Sequence, residues 1–471
     1  MTHRFNPSIL REYDIRGIVG DTLGEEDARA LGRTFATFAI EQGARRIAVG
    51  RDGRTHSPAL EAALVDGLTR GGIDVVRVGQ GPSPMLYFAT HHLDVDGGIQ
   101  VTGSHNPADY NGFKMLLKGG SVFGAAIQDL GRRCAEGRWN VGEGSVTDSD
   151  VSGAYVERLL EGFEGKAFRI GWDAGNGAAG PILDQLIERL PGEHHAIFTD
   201  VDGAFPNHHP DPTVEANLED LKALVAEKNL DFGIAFDGDG DRIGAVDSTG
   251  RVIWGDQLLL ILAGPVLEAE PGATIIADVK ASQVLFDGIA ALGGRPLMWK
   301  TGHSLIKSKM KETGAPLAGE MSGHIFFKHR WYGFDDALYA AVRLIEAVSA
   351  SGRSLTELMD AMPSTVATPE LRFPVDEARK FAIPGEIRDR LLAEGADVDS
   401  TDGVRVRTKD GWWLLRASNT QDVLVARAEA LDEAGRDRLI AAIDAQLTQS
   451  GVFRATVSHL NAAVCGPVTE P

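Results

Sequence analysis

Cysteine is almost missing from this chain of 471 residues: only Cys134 and Cys465 occur, and they lie far apart. Such a pair makes neither a disulfide framework nor a zinc site, so the expected setting is a reducing, cytoplasmic one. Long apolar runs are missing too. The most apolar stretch, Leu258 to Leu267, spans about ten residues, against the ~20 that a membrane helix needs. The N-terminus, Met1 to Arg16, carries charges early and has no apolar segment of the signal-peptide kind. Nor is there an excess of positive charge. Lys and Arg number 47 against 67 Asp and Glu, a net −20, which argues against a nucleic-acid or anionic-membrane binder. An anionic small molecule would therefore need a local cluster of basic residues inside an acidic shell. The hydrophobic fraction, 43%, supplies a sizeable core, and the length suits roughly three or four domains. No obligatory protein partner is evident.

Along the chain one rhythm recurs three times. The first copy opens with a strand at Arg46 to Val49, followed by Gly50-Arg51-Asp52-Gly53, a helix near Pro58 to Leu68 and strands at Val75 to Val78 and Gly98 to Val101. The second has a strand at Arg169 to Trp172, a helix near Ile182 to Leu190, and strands at Ala196 to Thr199 and Phe232 to Phe236. The third has a strand at Thr274 to Val279, a helix near Gln283 to Leu292, and strands at Pro296 to Trp299 and Pro316 to Ala318. Short apolar strands alternating with helices predict parallel α/β units, in which ligands gather beyond the strands' carboxyl ends. Each copy places its oddest polar loop there. From about residue 366 the rhythm changes: strands at Glu370 to Val375 and Asp422 to Ala428, a hairpin about Lys409-Asp410-Gly411, and a helix at Glu433 to Leu447 predict an α+β domain. The last twenty residues read as a loose tail. The expected division is 1–150, 151–256, 257–365 and 366–471.

The first polar loop, Val101-Thr102-Gly103-Ser104-His105-Asn106-Pro107, presents Ser104 on a short turn. A serine hydroxyl is a weak nucleophile and needs a base or a cation. The second loop, Asp237-Gly238-Asp239-Gly240-Asp241-Arg242, offers three carboxylates for a hard cation, with Arg242 beside them for another anion. It opens like a calcium EF-hand, but Arg242 stands where Gly is needed and Ser248 where Glu is needed. Together the loops point to a serine that handles a phosphoryl group beside a divalent metal; the bland alternative for each is a surface turn.

Other loops carry weaker signals. Gly175-Asn176-Gly177-Ala178-Ala179-Gly180 has the dinucleotide-binding spacing, and Asp200 follows at ribose-carboxylate distance. This leaves an NAD-dependent oxidoreductase open. Glu320, Ser322 and His324 lie on a glycine-flanked loop suited to gripping sugar hydroxyls, and Lys280 and His303 end neighbouring strands. Arg416-Ala417-Ser418-Asn419-Thr420 suits a phosphate. Tyr13-Asp14-Ile15-Arg16-Gly17 pairs a phenol with a guanidinium, and Lys114 follows the serine loop.

Taken in this order, from Tyr13-Asp14-Ile15-Arg16-Gly17 to Arg416-Ala417-Ser418-Asn419-Thr420, the motifs resemble the α-D-phosphohexomutases, most of all the bacterial phosphomannomutase/phosphoglucomutase group. The resemblance implies four domains around a central cleft: three similar α/β domains with mixed sheets and a C-terminal α+β domain. It implies a phosphate carried on Ser104 and Mg2+ held by Asp237, Asp239, Asp241 and a Ser104 oxygen. The expected catalytic set is Ser104, Lys114, Arg16 and His303. The expected substrate contacts are Tyr13, Arg242, Lys280, His303, the sugar loop Glu320, Met321, Ser322, Gly323 and His324, and the phosphate clamp Arg416, Ala417, Ser418, Asn419 and Thr420. The implied reaction interconverts hexose 1- and 6-phosphates of glucose and mannose through a hexose 1,6-bisphosphate, with glucose 1,6-bisphosphate as activator. Lys114 and His303 would move the hydroxyl proton, in either order. Three departures or variants stand out. Gly103 replaces a common Ala, Gln421-Asp422 replaces a frequent Glu-Pro, and Glu320-Met321-Ser322 resembles the glucose/mannose group more than the glucosamine mutases. A phosphoglucosamine mutase is thus the nearer alternative, and a non-catalytic sugar-phosphate binder a further one.

Overall fold

A computed structural model describes residues 2–419 and 421–453. Met1, Thr420 and the segment 454–471, with Cys465 and most of the expected tail, lie outside the described residues. The chain divides into two compact units, Met1–Met362 and Pro363–Pro471.

The first unit contains three sheets. One runs Ile15–Ile18, Tyr110–Leu117, Gly97–Val101, Arg46–Arg51, Asp74–Gln80, Val146–Asp148, with Gly120–Ser121 added to Tyr110–Leu117. The second runs Val252–Ile253, Ile243–Asp247, Phe232–Phe236, Phe168–Asp173, Gly192–Ile197. The third runs Arg295–Trp299, Thr274–Asp278, Leu317–Gly319, Ile325–Phe327. The expected parallel cores are present. Each loop-bearing strand is also followed by an antiparallel return: Tyr110–Leu117, Ile243–Asp247 and Ile325–Phe327. These returns make the sheets mixed. Their connections, from Val101 to Tyr110, Phe236 to Ile243 and Gly319 to Ile325, are shorter than the roughly dozen residues a parallel crossover needs. Each polar loop is therefore the tip of a hairpin inside the sheet.

Strands Gly97–Val101, Phe232–Phe236 and Ile243–Asp247 are buried along their whole length, as strands covered on both faces must be. A helix not anticipated from the sequence, Glu25–Glu41, buries Ala28, Leu31, Phe35 and Ala39 at helical spacing. It packs on Ser57–Arg70 with the two backbones in contact, since a Cβ at Gly32 would stand 2.3 Å from the Leu64 carbonyl. The apolar run Leu258 to Leu267 belongs to the helix Gly255–Ala269 and is core, not membrane. Among the described residues no helix is long and apolar enough to cross a membrane. One hydrophobic cluster joins Leu86 and Phe88 to Trp172 and Phe236 and to Leu258, Ile275 and Tyr339, so the three copies share a core.

The second unit is an antiparallel sheet ordered Val366–Ala367, Val423–Ala430, Gly411–Ala417, Val404–Thr408, Asp397–Asp399, with Leu371–Pro374 also on Val423–Ala430. The expected hairpin is there, with Thr408 opposite Gly411. The helix Glu433–Gln449 starts on Asp432, which accepts from the Gly435 amide at 2.6 Å. Its Leu439, Ile443 and Leu447 pack with Ile383 and Ile387 of the helix Ala382–Ala393. That second helix was hidden by Pro384 and Gly385, yet Pro384 falls in its first turn, where proline is tolerated.

Candidate active site

The Ser104 loop caps the strand Gly97–Val101. Ser104 is buried and left-handed, with φ 49°. Its Oγ donates to Asp237 Oδ2 at 3.0 Å and lies 3.1 Å from His105 Nδ1. Burial, with the Arg242 and Arg16 charges, holds the His105 imidazole well below its ordinary range. Arg16, placed by the strand Ile15–Ile18, donates to the Gly103 carbonyl at 2.7 Å, and also to Asn106 and Asp14. Two residues the sequence reading passed over, Asp52 and Arg54, hold the loop from below. Asp52 Oδ2 accepts from Thr102 Oγ1 at 2.9 Å and the Gly103 amide at 3.0 Å. Their signal was present in the glycine-flanked stretch after Arg46–Arg51, at the same sheet edge as Ser104.

The Asp loop meets this one. Asp237, Asp239 and Asp241 are fully buried, each offering a carboxylate oxygen within 4.8 Å of the others. Asp237 Oδ1 accepts from the amides of Asp241 and Arg242 at 3.0 and 3.1 Å. Asp239 Oδ2 accepts from Lys114 Nζ at 2.6 Å and Ser83 Oγ at 2.5 Å, and Lys114 also reaches Asp241. Among the described residues neither Asp239 Oδ1 nor Asp241 Oδ1 has a hydrogen-bond partner, and His324 Nδ1 lies 3.5 Å from Asp241 Oδ1. Burial, reinforced by Asp241 and Asp239, pushes the Asp237 carboxyl well above its usual range. Burial opposes the Asp239 charge as well, but Lys114 and Ser83 outweigh it and hold that carboxyl far below. For Lys114, burial acts downward and the two carboxylates win, raising the ammonium well above its ordinary value. The cluster thus has more negative charge than its cations satisfy. Buried, hard oxygen ligands with orphaned lone pairs fit a divalent cation such as Mg2+.

The third copy contributes two further imidazoles, His303 and His324. A bridge between Arg242 and His324 joins the Asp loop to the Glu320–His324 turn, and the Ile243 amide donates to the Gly323 carbonyl at 3.0 Å. Gly323 has φ 87°, and a Cβ there would stand 2.5 Å from the Ile243 carbonyl. Arg242 Nε donates to His324 Nε2 at 3.0 Å, leaving Nδ1 facing Asp335 Oδ2 at 3.1 Å. His303, stacked on His324 with ring centroids 5.7 Å apart, faces the same carboxylate oxygen, with Nδ1 at 4.0 Å and no hydrogen-bond partner among the described residues. Burial, with Lys307 nearby, holds His303 well below its ordinary range. Burial opposes the Asp335 charge, but Lys307 at 2.9 Å and both imidazoles hold its carboxyl well below. Asp335 was not singled out from the sequence, being one aspartate in an aromatic loop.

Other expected contacts take structural partners here. Glu320 accepts from the Gly302 amide at 2.6 Å, and burial pushes its carboxyl up. Met321 donates its amide to Asp278 Oδ1 at 3.1 Å, and Ser322 is half-buried beside it. Lys280 Nζ is 4.0 Å from Asp278. Tyr13 donates its hydroxyl to the Thr301 carbonyl at 2.8 Å, its ring filling the space a Cβ at Gly302 would need. In the second unit Arg416 is buried and donates Nε to Asp402 at 2.9 Å, a partner the sequence did not suggest. Ala417 is buried, the Ser418 amide donates to the Val423 carbonyl at 3.0 Å, and the Ser418 hydroxyl accepts from the Gln421 amide at 3.2 Å. Asn419 follows, and Thr420 lies outside the described residues. The Gln421-Asp422 variant is braced by Lys380, whose Nζ donates to the Asp422 carboxylate at 3.0 Å and the Gln421 carbonyl at 3.2 Å.

The glycine turn at Gly175–Gly180 is not a dinucleotide cradle. Its amides are spent on protein acceptors: Gly175 on Asp173, Asn176 on Phe198, Gly177 on Ala174, Ala178 on Gly238 and Gly180 on Gly177. The bond from Ala178 to Gly238 shows what the turn does: it seats the Asp loop.

Comparison with known proteins agrees with this geometry. Family descriptions of phosphoglucomutase/phosphomannomutase match in chain order: alpha/beta/alpha domain I at residues 7–138, domain II at 153–250, domain III at 254–366 and the C-terminal domain at 370–446. The chain is 48% identical to a phosphomannomutase/phosphoglucomutase of Pseudomonas aeruginosa, over 92% of this chain and 94% of that one. It is 45% identical to a phosphoglucomutase of Neisseria gonorrhoeae, over 92% and 95%. A crystal structure of a phosphoglucomutase/phosphomannomutase family protein from Burkholderia thailandensis superposes with a TM-score of 0.90 at 44% identity, covering 95% of this chain and 98% of that one. With matches that span all its sheets and a serine set against three buried carboxylates, the chain belongs to the phosphoglucomutase/phosphomannomutase family.

Proposed function

We infer that this chain interconverts hexose 1-phosphates and hexose 6-phosphates, carrying the phosphoryl group on Ser104. The observation that carries this reading is the contact of Ser104 Oγ with Asp237 Oδ2 at 3.0 Å, against a ring of buried carboxylates. Asp237, Asp239, Asp241 and Ser104 Oγ would hold Mg2+, which when bound neutralises charge on the transferring phosphoryl oxygens and on the serine oxygen. In the first half-reaction the sugar hydroxyl oxygen forms its bond to phosphorus, the bond from Ser104 Oγ to phosphorus breaks, and the hydroxyl proton passes to an imidazole. The bisphosphate then presents its other phosphate, and the same steps in reverse leave Ser104 phosphorylated. Glucose 1,6-bisphosphate would prime this cycle by phosphorylating a bare Ser104.

The residues divide the work by position. His303, with an unpartnered Nδ1, and His324, on the same Asp335, are the proposed proton carriers. Lys114 is committed to Asp239 and Asp241, so its proposed part is to balance charge beside the transferring group. Arg16 holds the serine loop. Glu320 to His324 would grip the sugar hydroxyls, with Tyr13, Lys280 and Arg242 beside them. Arg416 to Thr420 would hold the phosphate that is not reacting, a task for one guanidinium with loop amides. Segments 1–150, 151–256, 257–365 and 366–471 would each supply one of these loops. The double name of the Pseudomonas relative supports both glucose and mannose phosphates as substrates, in a cytoplasmic setting. The test is conversion of glucose 1-phosphate and mannose 1-phosphate with Mg2+ and trace glucose 1,6-bisphosphate, without nicotinamide. Turnover lost in Ser104→Ala is the expected result; a rate on glucosamine 1-phosphate above both would select the glucosamine mutase instead.

A further inference from the structure

We propose that Arg54 is the positioning residue that sets the shape of the Ser104 loop. The inference rests on the reading that Ser104 carries the phosphoryl group. The Arg54 guanidinium is 1% exposed and gathers the loop's carbonyl oxygens. Nη2 donates to Ser104 at 2.8 Å and Asn106 at 2.6 Å. Nη1 donates to Pro107 at 2.5 Å and Tyr110 at 2.9 Å. Its Nε lies 3.3 Å from Asp52 Oδ2, the oxygen that also accepts from the Gly103 amide and Thr102 Oγ1. Thr102 Oγ1 in turn accepts from the Ser104 amide at 2.8 Å. Asp52 and Arg54 thus bind the loop's amides and carbonyls from one short stretch of chain.

The loop needs such a clamp. A serine in the left-handed region is disfavoured by roughly 1–2 kcal/mol, and Ser104 sits there at φ 49°. Rotation of that backbone toward an ordinary conformation would carry Oγ away from Asp237. The Ser104 carbonyl is held on both sides: Arg54 donates to it, and a Cβ at Gly238 would stand 2.4 Å from it. Arg54 is itself boxed in. A Cβ at Gly103 would be 2.3 Å from its Nε, one at Gly203 would be 2.5 Å from its Cα, and the Phe205 ring lies 5.1 Å from its Cζ. This also accounts for Gly103: the guanidinium occupies the space an alanine methyl would take. The second α/β copy, through Gly203 and Phe205, therefore backs the arginine that shapes the serine loop of the first.

A buried ion pair that only stabilises the fold would lower the melting temperature and leave the chemistry alone. A positioning residue alters how Ser104 holds and passes its phosphate. The test uses the full chain with Mg2+, phosphorylated by glucose 1,6-bisphosphate, with phosphate on Ser104 followed by intact mass. Arg54→Lys keeps the charge and cannot span the four carbonyls. It is expected to lower kcat about 30-fold or more with KM within about threefold, because misplacement affects the transition state more than binding. It is also expected to shorten the life of the phosphate against water about fivefold, as a loosened site admits solvent. Phe205→Ala, a half-buried position, loosens the backing with the ion pair intact and should shorten that life about threefold. Wild-type kcat and phosphate lifetime in both variants overturn the proposal, and if Arg54→Lys does not fold, a wild-type lifetime in Phe205→Ala does so alone. A wild-type protein that turns over without phosphate on Ser104 would instead sink the Ser104 reading itself.

Discussion

Lys114 Nζ donates to Asp239 Oδ2 at 2.6 Å and reaches Asp241 as well, so one buried ammonium answers two of the three carboxylates. Removing it leaves two buried carboxylates without their shared ammonium, at a cost of roughly 3–5 kcal/mol for a broken buried pair. Lys114→Ala is expected to melt well below the wild type in chelator and to recover part of the difference in millimolar Mg2+, since the cation then supplies the missing charge. Its kcat should fall by about 100-fold or more, as for loss of a preorganised charge at a phosphoryl-transfer site. Differential scanning fluorimetry with and without Mg2+, beside steady-state kinetics, checks both. An identical Mg2+ response in mutant and wild type would refute the charge-balance role.

Asp335 faces both imidazoles, with Oδ2 3.1 Å from His324 Nδ1 and 4.0 Å from His303 Nδ1, while Asp241 Oδ1 stands farther from the His324 ring, at 3.5 Å. Asp335→Asn keeps the size but removes the charge and presents an amide that can favour the other tautomer of His324. The expected outcome is a kcat lowered about 10²-fold or more, the scale of general acid–base catalysis, with KM within about threefold. Comparison with His303→Gln and His324→Gln assigns the effect: the double variant of Asp335→Asn with the proton-carrying histidine should be no worse than the histidine variant alone. Additive losses would show that Asp335 acts independently of both rings.

How much of this was open to a reader of the sequence depends on whether a residue sits inside a marked motif. Ser104 and the three aspartates announce themselves because glycines mark their turns, although Ser104 meets Asp237 across a long stretch of chain. Asp335, Asp402 and Arg54 do not, for each is a single residue of a common type outside the loops read as motifs, and only the fold sets it against His324, Arg416 or the Ser104 loop. The strand rhythm was legible wherever a whole strand is apolar, as at Phe232–Phe236. The antiparallel returns were missed because Tyr110–Leu117 begins with Tyr and Asn and alternation is absent in a strand buried on both faces. The glycine spacing at Gly175 misled in the other direction: the letters fit a pyrophosphate cradle, but the turn spends its amides on the Asp loop.

Asp336 is a helix cap caught in the core. It accepts from the Tyr339 amide at 2.9 Å and from the Tyr155 hydroxyl at 2.8 Å, and burial pushes its carboxyl up to about 7. A carboxyl with a folded pKa above its unfolded value binds its proton more tightly in the folded state. Its contribution is therefore most favourable below the unfolded value and is lost as pH rises from about 4 toward and through the folded pKa near 7. Asp336→Asn offers the same acceptor oxygen without charge. It should be more stable than the wild type at pH 8, by something on the order of 1–3 kcal/mol, with the gap closing by about pH 4. Urea titrations at both pH values decide it; a gap that widens toward low pH contradicts the assignment.

Arg416 and Asp402 form a buried pair at 2.9 Å through Nε, and the two Nη groups of the guanidinium are the proposed fork. If that fork holds the phosphate that is not reacting, it is used in both half-reactions, because the two orientations of the sugar exchange which phosphate is distant from Ser104. Arg416→Ala should then raise KM for hexose 1-phosphate and hexose 6-phosphate alike, by about 10- to 150-fold for a charge-assisted bond of ~1.5–3 kcal/mol. Asp402→Asn leaves the guanidinium charged but less firmly aimed, so it should raise both KM values by a smaller factor, about three- to tenfold. Arg416→Lys separates charge from geometry: a lysine cannot make the two parallel bonds, so most of the loss should remain. Steady-state kinetics in both directions gives all three numbers. A change confined to one direction would place the distant phosphate elsewhere in that half-reaction, and unchanged KM values in both would remove Arg416 from the phosphate site.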